Sequence, residues 1–501
     1  MEKRTVLVLV AIVAIVAITL AIVIPVVVVK GNSASTSTRE GDHSTGGPLP
    51  EKYQSALNFL LENLPEDLQE ELAVAADQEQ QQQEPDSFPP QLQALNWLAY
   101  EDTYSTPDLA FSLDTNKTLQ RYALATFYFA MGGDNWRDCP GRSMQYCEWT
   151  IPGQAKWLSP VDECEWAFLT CNENATLEEI RVEKGDGGLY GNSVIGTLPK
   201  EMSLLSNLKT FDVATNLMMG GLGTAFSSTT SLIVLRAPEN QLTGDFPNQI
   251  LPNNPNLEVL DLMNNKGVQG YIQLLLDHPS LIHVNVAGTG VDGFVVTNTS
   301  SSSSSVLQVL DLSRTNISGT LPTGLASLSN LQELSLDYTP ISGTLPSWIS
   351  SLSNLQVLSM DHANLQGSLP EELFNLTHLK ILQLPMAGFS GSIPPYVIAK
   401  LTDLERLDLN GNNFTGTIPE AIRACSLLID LVLSNNELTG SIPEALDHLT
   451  HLETLVLEGN HLTGTISSTL CHGLGYRQYQ LETIAVDCVV ECACCVSCRS
   501  D

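Results

Sequence analysis

Residues 404–419 read LERLDLNGNNFTGTIP, and variants of this stretch recur at a nearly constant period through the second half of the chain. Seven successive copies begin at Leu307, Leu331, Leu355, Leu379, Leu404, Leu428 and Leu452, so neighbouring copies start 24 or 25 residues apart. Self-similarity at a fixed period of this length indicates a solenoid in which each copy is one structural unit.

Each residue that recurs in the motif predicts a local conformation. Leu407 and Leu409 alternate with polar residues, which indicates a short strand with its leucines turned toward the core. The side-chain amide of Asn412 is expected to satisfy buried backbone groups where the chain turns. Gly416 permits a positive φ, and Pro419 ends the extended segment and begins the return path. One unit cannot bury its own leucines, so stacked units stabilise each other.

Five less regular units precede the seven copies, which gives twelve repeats. Their predicted strands are Ile180–Val182, Phe211–Val213, Leu235–Ala237, Leu260–Leu262 and Val284–Val286. In the last eleven repeats the turn position is occupied by Asn216, Asn240, Asn265, Thr289, Thr315, Thr339, Ala363, Ala387, Asn412, Asn436 and Asn460. Thr replaces part of the hydrogen bonding of Asn and Ala replaces none. We call the row of turn-position side chains the ladder, and we expect its hydrogen bonds to be weaker in the central repeats.

The chain is strongly acidic, with a formal net charge of −33 over 501 residues. Such a surface repels nucleic acid and acidic lipid, which excludes both as partners and leaves cations or basic partners.

Residues 5–29 form an uncharged, mostly aliphatic run, with Lys3, Arg4 and Lys30 at its flanks. Its length suits a membrane-spanning helix, and the preceding basic residues favour a cytoplasmic amino terminus. Residues 1–30 are therefore predicted to be a signal-anchor, with the repeats extracellular or lumenal. The alternative is a cleaved secretory signal, which places the repeats in the same compartment. Only about four residues precede the run, so we expect no cytoplasmic signalling domain there.

Residues 31–90 are rich in Ser, Thr, Gly, Gln and acidic residues, which predicts a flexible stalk. Within it, the amphipathic stretch Leu57, Leu60, Leu61 and Leu64 predicts a marginal helix, followed by a disordered tract. Residues 91–176 are predicted to be an N-terminal cap with two helices, because a solenoid exposes the apolar end of its first repeat. Cys139, Cys147, Cys164 and Cys171 would staple this cap if each paired locally, 139 with 147 and 164 with 171. The repeats then occupy residues 177–470.

The segment Cys164-Glu165-Trp166-Ala167-Phe168-Leu169-Thr170-Cys171, with Gly133-Asp134-Asn135-Trp136 before it, resembles the cysteine-rich cap of plant-type extracellular leucine-rich-repeat proteins. With the anchor, the acidic stalk and the cysteine-dense tail, the layout is similar to that of single-span leucine-rich-repeat proteins of diatoms. The resemblance implies an α/β repeat fold: a right-handed solenoid with a parallel concave sheet and disulfide-stapled caps. It names no ligand.

Residues 471–501 carry Cys471, Cys488, Cys492, Cys494, Cys495 and Cys498. Outside the cytosol this density predicts a disulfide-bonded C-terminal cap of undetermined pairing. The alternative is a thiolate metal site, since two pairs have C-x-x-C spacing. Cys425 is the odd cysteine and is expected to be a small buried thiol.

No sequence motif indicates an enzyme, and no cofactor is predicted. Residues 288–293 match the pattern G-x-G-x-x-G, but they lie in repeat register and precede a serine run instead of a helix. N-glycosylation sequons occur at Asn116, Asn174, Asn298, Asn316, Asn375 and Asn413.

The sequence therefore predicts an anchored recognition protein that binds an extracellular protein, peptide or glycan on its concave face and signals through a separate co-receptor. The alternative is a secreted enzyme inhibitor or matrix protein of the polygalacturonase-inhibitor type. Residue types enriched at interfaces are concentrated in the central repeats. The predicted ligand-binding residues are Arg314, Asp337, Tyr338, Asp361, His362 and Met386.

Overall fold

The leucines of the motif stack into one long sheet in the computed structural model. The structure describes residues 50–79, 88–102, 104, 114–138, 154–182, 191–272, 276–293, 306–472, 483–492 and 497–499. The strands of this sheet, numbered β1 to β15 in chain order, are Leu169–Cys171, Leu177–Arg181, Thr210–Asp212, Val234–Arg236, Val259–Asp261, His283–Asn285, Val309–Asp311, Glu333–Ser335, Val357–Ser359, Ile381–Gln383, Arg406–Asp408, Asp430–Val432, Thr454–Val456, Thr483–Asp487 and Ser497–Arg499. The β1–β2 pair is antiparallel and every later pair is parallel.

The register places the leucines of neighbouring repeats side by side. Leu334 pairs with Leu310 on one side and with Leu358 on the other, and all three are fully buried. Residues that alternate with these leucines point away from the core, and we call the surface they form the open sheet face. The five irregular strands predicted before Leu307 are all present, and each lies within one residue of its predicted position except β2, which begins three residues earlier.

Short strands beside the main sheet add a second layer of pairing between repeats. They form sheets from Ile195–Thr197, Leu217–Gly220, Gln241–Asp245 and Gly267–Gln269, from Ser342–Gly343 and Asn364–Leu365, and from Ser390–Ser392, Asn413–Gly416, Glu437–Ser441 and His461–Thr463. Gly416 has a φ of 79°, as its place in the motif predicted.

The return path of most repeats is one turn of 3-10 helix. Such turns span Lys200–Leu204, Leu251–Asn253, Thr323–Ser327, Ser347–Ser351, Glu371–Asn375, Glu420–Ala424 and Glu444–His448, and short α-helical turns span Phe246–Ile250, Pro395–Ile398 and Ser468–His472. Pro419 is the N-cap of its turn, as predicted. Cys425 follows that turn as a buried free thiol, and burial raises its pKa to about 12.

Within the described residues, four helices precede the first repeat: α1 (Glu51–Asn63), α2 (Glu66–Glu79), α3 (Pro90–Tyr100) and α4 (Thr115–Ala130). The predicted marginal helix at residues 57–64 is present as α1. It is followed by a second helix, α2, where the stalk was predicted to be disordered, and both helices pack on the cap. Leu60, Leu68 and Leu72 are at most 2% exposed. Their spacing places them on one side of the helices, and the acidic and glutamine residues between them face solvent. Residues 31–49 and 80–87 lie outside the described residues.

A buried ion-pair network joins α4 to the cysteine-containing loop of the cap. The guanidinium of Arg121 is fully buried and donates to Asp102, with its closest nitrogen at 2.6 Å, and to Glu163 at 3.0 Å. It also lies 5.0 Å from the ring centroid of Trp166. Short 3-10 turns at Gly133–Asn135 and Glu163–Glu165 complete the cap. A buried charge with several hydrogen bonds and aromatic contacts fixes one arrangement of these elements.

The structure describes part of the predicted covalent framework. A disulfide joins Cys164 to Cys171, and Cys488 and Cys492 are each disulfide-bonded. Cys139, Cys147, Cys494 and Cys495 lie outside the described residues, as do the side chains of Cys471 and Cys498. Within the residues that the structure describes, no helix has the length and apolar character required to cross a bilayer. The proposed anchor, residues 5–29, lies outside them.

Candidate ligand-binding face

In each of the last eleven repeats, one residue adopts a left-handed backbone conformation immediately before the turn position. These residues, with φ between 49° and 73°, are Thr215, Glu239, Asn264, Gly288, Arg314, Tyr338, His362, Met386, Gly411, Asn435 and Gly459. The amide of Tyr338 donates to the carbonyl of Asp361 in the following repeat at 2.6 Å. Equivalent bonds in the neighbouring repeats align these residues as a row along one edge of the sheet.

The side chains in this row change character at the centre of the solenoid. Asn264 and Gly288 precede the central repeats, and Gly411, Asn435 and Gly459 follow them; Gly and Asn adopt the left-handed conformation most readily. Between them lie four large side chains, which we call the central column: Arg314, Tyr338, His362 and Met386. This conformation costs such residues about 1–2 kcal/mol each. Strain of this kind often marks functional positions.

The first three side chains of the central column contact each other. The guanidinium carbon of Arg314 lies 4.8 Å from the ring centroid of Tyr338. The rings of Tyr338 and His362 are stacked, with centroids 4.4 Å apart and an interplanar angle of 16°. Tyr338 is nevertheless 44% exposed and Met386 50% exposed. The column is therefore an ordered surface with large apolar and cationic groups open to solvent.

Two aspartates at the end of adjacent strands hold the central column in place. The Asp361 carboxylate is 2.5 Å from Nδ1 of His362, and its hydrogen bond with the Tyr338 hydroxyl raises the pKa of that hydroxyl. Asp337 in turn accepts hydrogen bonds from the backbone amide of Asp361 at 2.7 Å and from the hydroxyl of Ser359 at 2.6 Å. The six predicted ligand-binding residues are thus brought together. The four column residues lie in loops beyond the strand ends, and not on the strands.

The arginines of the open sheet face each have carboxylate neighbours. Arg181 lies 2.9 Å from Glu179, and Arg406 lies 2.7 Å from Asp430. Arg236 lies between two aspartates, 3.8 Å from Asp212 and 3.6 Å from Asp261. These pairs occupy the repeats on either side of the central ones.

The central repeats carry acidic groups of a different kind. We call Asp311, Glu333, Asp337, Asp361 and Asp408 the central carboxylates; all five are partly exposed. Among the residues that the structure describes, no Lys or Arg nitrogen lies within 4 Å of their carboxylate oxygens. Burial, and then the Asp311 carboxylate, raises the pKa of Glu333. Burial, with the carboxylates of Asp361 and Asp430, likewise raises the pKa of Asp408.

The asparagines at the turn position link each repeat to the one before it. Nδ2 of Asn412 donates to the carbonyl of Leu409 in its own repeat at 3.0 Å and to that of Leu384 in the preceding repeat at 2.7 Å. Its Oδ1 accepts from the amide of Phe389 at 2.9 Å. This confirms the role predicted for Asn412. The same bonds are made by Asn216, Asn240, Asn265, Asn436 and Asn460.

The repeats that bear the central column have Thr or Ala at the turn position and therefore lack these asparagine bonds. The hydroxyls of Thr315 and Thr339 donate only within their own repeats, to Leu312 at 2.7 Å and Leu336 at 2.6 Å. Ala387 has no polar side chain, but its carbonyl accepts from the amide of Leu365 in the preceding repeat at 2.8 Å. Gly388 makes this approach feasible, because a Cβ there would lie 2.2 Å from the carbonyl oxygen of Leu365.

The G-x-G-x-x-G match at residues 288–293 is part of this repeat framework. Thr289 is buried and its hydroxyl donates to the carbonyl of Val286 at 2.6 Å, while Val291 is in the core. The site therefore has the repeat geometry expected from its register. A separate shallow groove at the opposite edge of the sheet is lined by Gln332, Asn354, Gln356, His378, Lys380 and Asp403, and includes none of the predicted ligand-binding residues.

Five of the six sequons lie within the described residues, and their asparagines are exposed: Asn116, Asn174, Asn316, Asn375 and Asn413. Asn298 lies outside the described residues. Asn316 and Asn413 follow the turn position, so they flank the central column from the repeats that carry Arg314 and Gly411. No group of three or more His, Cys, Asp or Glu side chains that could hold a metal ion is found in the part of the chain that the structure describes.

Comparisons with known proteins identify the repeat. A leucine rich repeat family model matches residues 402–462, and a second one matches residues 306–328, 330–352 and 354–376. These matched parts of the solenoid are leucine-rich repeats. No enzyme family is indicated by these matches, and a search of curated proteins found no match.

Solved structures with similar leucine-rich-repeat solenoids include plant receptor ectodomains. The ectodomain of the Arabidopsis receptor kinase HAESA, in complex with an N-terminally extended IDA peptide hormone ligand, is 27% identical with a TM-score of 0.55, over 62% of this chain and 50% of that chain. A TDR receptor is 28% identical with a TM-score of 0.54, over 61% and 51%. HAESA with IDA and the co-receptor SERK1 is 24% identical with a TM-score of 0.60, over 76% and 58%, which shows a shared fold. The chain spans about half the length of the first two.

Proposed function

We propose that this protein is a membrane-anchored extracellular recognition protein that binds its ligand across the open sheet face, with the central column as the main contact. The observation that carries the proposal is the row of four large exposed side chains in a strained conformation, flanked by Gly and Asn. Arg, Tyr and Met are enriched where interfaces bury area, and a preorganised surface loses little entropy on binding.

The ligand class is a protein, a peptide or a glycan, and the likeness to HAESA favours a peptide. That receptor ectodomain, which has a similar solenoid, is in complex with a peptide hormone. A separate membrane protein would relay the signal, as a co-receptor is present in the second HAESA complex. The layout shared with single-span proteins of diatoms belongs to the same proposal.

A selection experiment tests the binding site. Random dodecapeptides displayed on phage are panned against the full-length protein, and the selected peptides are titrated against variants. The combined Arg314→Ala and Tyr338→Ala variant should bind them at least about tenfold more weakly, because two hot spots of roughly 1–2 kcal/mol each are lost. The matched control combines Asn435→Ala with Glu458→Ala and should bind within about twofold of wild type. The opposite ranking would move the site to the C-terminal repeats.

The proposal includes a membrane anchor, which residues 5–29 would form. If they span the bilayer, alkaline carbonate extraction of membranes should leave the mature chain in the pellet. Release of the chain into the supernatant would favour the secreted inhibitor or matrix protein.

An extracellular or lumenal location is supported by the Cys164–Cys171 disulfide, by the disulfide-bonded Cys488 and Cys492, and by the exposed sequons. Cytosolic thiols stay reduced in most organisms. If both caps are fully disulfide-bonded, titration of the denatured, unreduced chain should detect about one free thiol, that of Cys425. Six or more free thiols, or bound zinc, would contradict the disulfide-bonded caps.

A further inference from the structure

The charged residues of the open sheet face differ between the central repeats and those on either side. Arg181, Arg236 and Arg406 each have carboxylate neighbours within 4 Å. The central carboxylates, by contrast, have no Lys or Arg partner at that distance within the described residues. The charge of Arg406, on the same strand as Asp408, lowers the pKa of Asp408, but the guanidinium of Arg406 is paired with Asp430. The guanidinium of Arg314 lies against the ring of Tyr338.

The central carboxylates lie directly beside the exposed central column. Asp361 contacts His362, and Asp337 binds the backbone amide of Asp361, so carboxylates and column form one continuous surface. Mutual repulsion adds to burial in raising the pKa of Asp337, Glu333 and Asp408. A cationic partner on this face would relieve that repulsion, whereas an anionic partner would increase it.

The dimensions of the surface suit a linear segment. The central carboxylates span five adjacent strands, from β7 to β11, and parallel strands lie about 4.8 Å apart, which gives a length of about 19 Å. An extended peptide advances about 3.3 Å per residue, so about six residues cover the same distance. Its side chains would alternate between the sheet and solvent.

We propose that the partner of this sheet face is a cationic linear peptide of about six or more residues. Its Lys or Arg side chains bind the central carboxylates, and an aromatic or aliphatic side chain packs on Tyr338 and Met386. This inference rests on the proposed function, because it names the class of ligand for the same surface. It is independent of the identity of any natural peptide.

Three fluorescein-labelled dodecapeptides test the charge preference on the full-length protein: alternating Lys-Tyr, Gln-Tyr and Glu-Tyr. Fluorescence anisotropy should give a Kd for the Lys-Tyr peptide at least about tenfold below that of the Gln-Tyr peptide, with the Glu-Tyr peptide weakest. The Lys-Tyr affinity should also fall as salt is raised.

Matched variants separate a local site from the general negative charge of the chain. Glu333→Gln combined with Asp408→Asn should weaken Lys-Tyr binding at least about tenfold. Glu371→Gln combined with Glu420→Gln makes the same charge change at exposed positions of the return path and should alter it by less than about twofold. Equal losses in both variants would overturn the proposal, because the attraction would then be nonspecific.

A third variant distinguishes failure of this inference from failure of the proposed function. Tyr338→Ala combined with Met386→Ala leaves the charge unchanged and should weaken all three peptides. If it does so but the three peptides bind equally, the cationic preference is wrong and the binding site stands. If the charge ranking depends on Glu333 and Asp408 but not on Tyr338 and Met386, the central column is not the contact and the cationic sheet site stands.

Discussion

The repeats at the C-terminal end of the solenoid and those at its centre differ at two neighbouring positions. In the C-terminal repeats the turn residue is Asn, bonded to the preceding repeat, and the residue before it is Gly411, Asn435 or Gly459. At the N-terminal end only the turn residue differs from the centre, because Thr215 and Glu239 before it are also left-handed. At the centre the turn residue is Thr or Ala, and the residue before it is a large side chain in the same left-handed conformation. The centre therefore combines weaker links between repeats with backbone strain. Natural proteins accept such local losses mainly where the surface has a role beyond stability.

The largest expected effect is the loss of one ladder asparagine. Asn436→Ala leaves the buried amide of Phe414 and carbonyl of Leu409 without a side-chain partner, and should cost about 3 kcal/mol in local stability. Thr339→Ala loses one hydrogen bond within its own repeat and should cost about 1 kcal/mol.

Repeat arrays depart from two-state unfolding, so native-state hydrogen exchange of amides in the flanking repeats is the suitable measurement. Equal costs for Asn436→Ala and Thr339→Ala would show that the ladder does not distinguish the ends from the centre.

A smaller effect on stability is expected when an asparagine is introduced at a turn position that lacks one. Thr339→Asn offers an amide that reaches the preceding repeat, and should raise stability by about 1 kcal/mol. Ala387→Asn should give no gain, because the carbonyl of Ala387 already binds Leu365 and the residue is fully buried. Thermal unfolding midpoints of the two variants provide the test. A gain in both would mean that the main-chain contact at Ala387 is no substitute for asparagine.

The smallest expected effect concerns pH at the centre. Burial and Asp311 raise the pKa of Glu333 in the folded protein, so its ionised form opposes folding. This cost is absent below the pKa of the unfolded chain and complete above the folded pKa. Glu333→Gln should therefore unfold at a slightly higher temperature than wild type at pH 7, and at the same temperature near pH 4 or below.

Glu420→Gln, at an exposed position of the return path, is the control for Glu333→Gln and should not reproduce the difference. A constant offset between the Glu333→Gln variant and wild type at every pH would contradict the electrostatic origin.

The sequence predicted the repeats well because their leucines recur at a nearly fixed spacing and are buried in the same way in every repeat. The residues chosen for the binding face, from Arg314 to Met386, did come together, since parallel stacking brings equivalent positions of successive repeats side by side. Their left-handed conformation was not predicted. The available signal was the recurrence of Gly or Asn at the same position, in Asn264, Gly288, Gly411, Asn435 and Gly459.

Two other features depend on contacts far apart in sequence. The region of α1 and α2 was predicted to be a stalk with one marginal helix, because acidic and glutamine residues indicate disorder when no packing partner is known. Lys200 in the first repeat forms an ion pair with Glu71 of α2, which no local pattern could reveal. Likewise, the backbone carbonyl of Ala387 makes a contact with the preceding repeat where other repeats use an Asn side chain. This contact requires the close approach of Gly388 to Leu365.

The antiparallel strand β1 forms the N-terminal edge of the sheet among the described residues. A parallel sheet with an exposed edge is a template on which another molecule can add its own strand and begin a fibre. At the N-terminal end the edge strand is only three residues long, has an irregular register between Thr170 and Cys171, and is covalently tied by the Cys164–Cys171 disulfide. Short, irregular edge strands oppose end-to-end association. The cap thus protects the solenoid from polymerisation at this end as well as covering its apolar core.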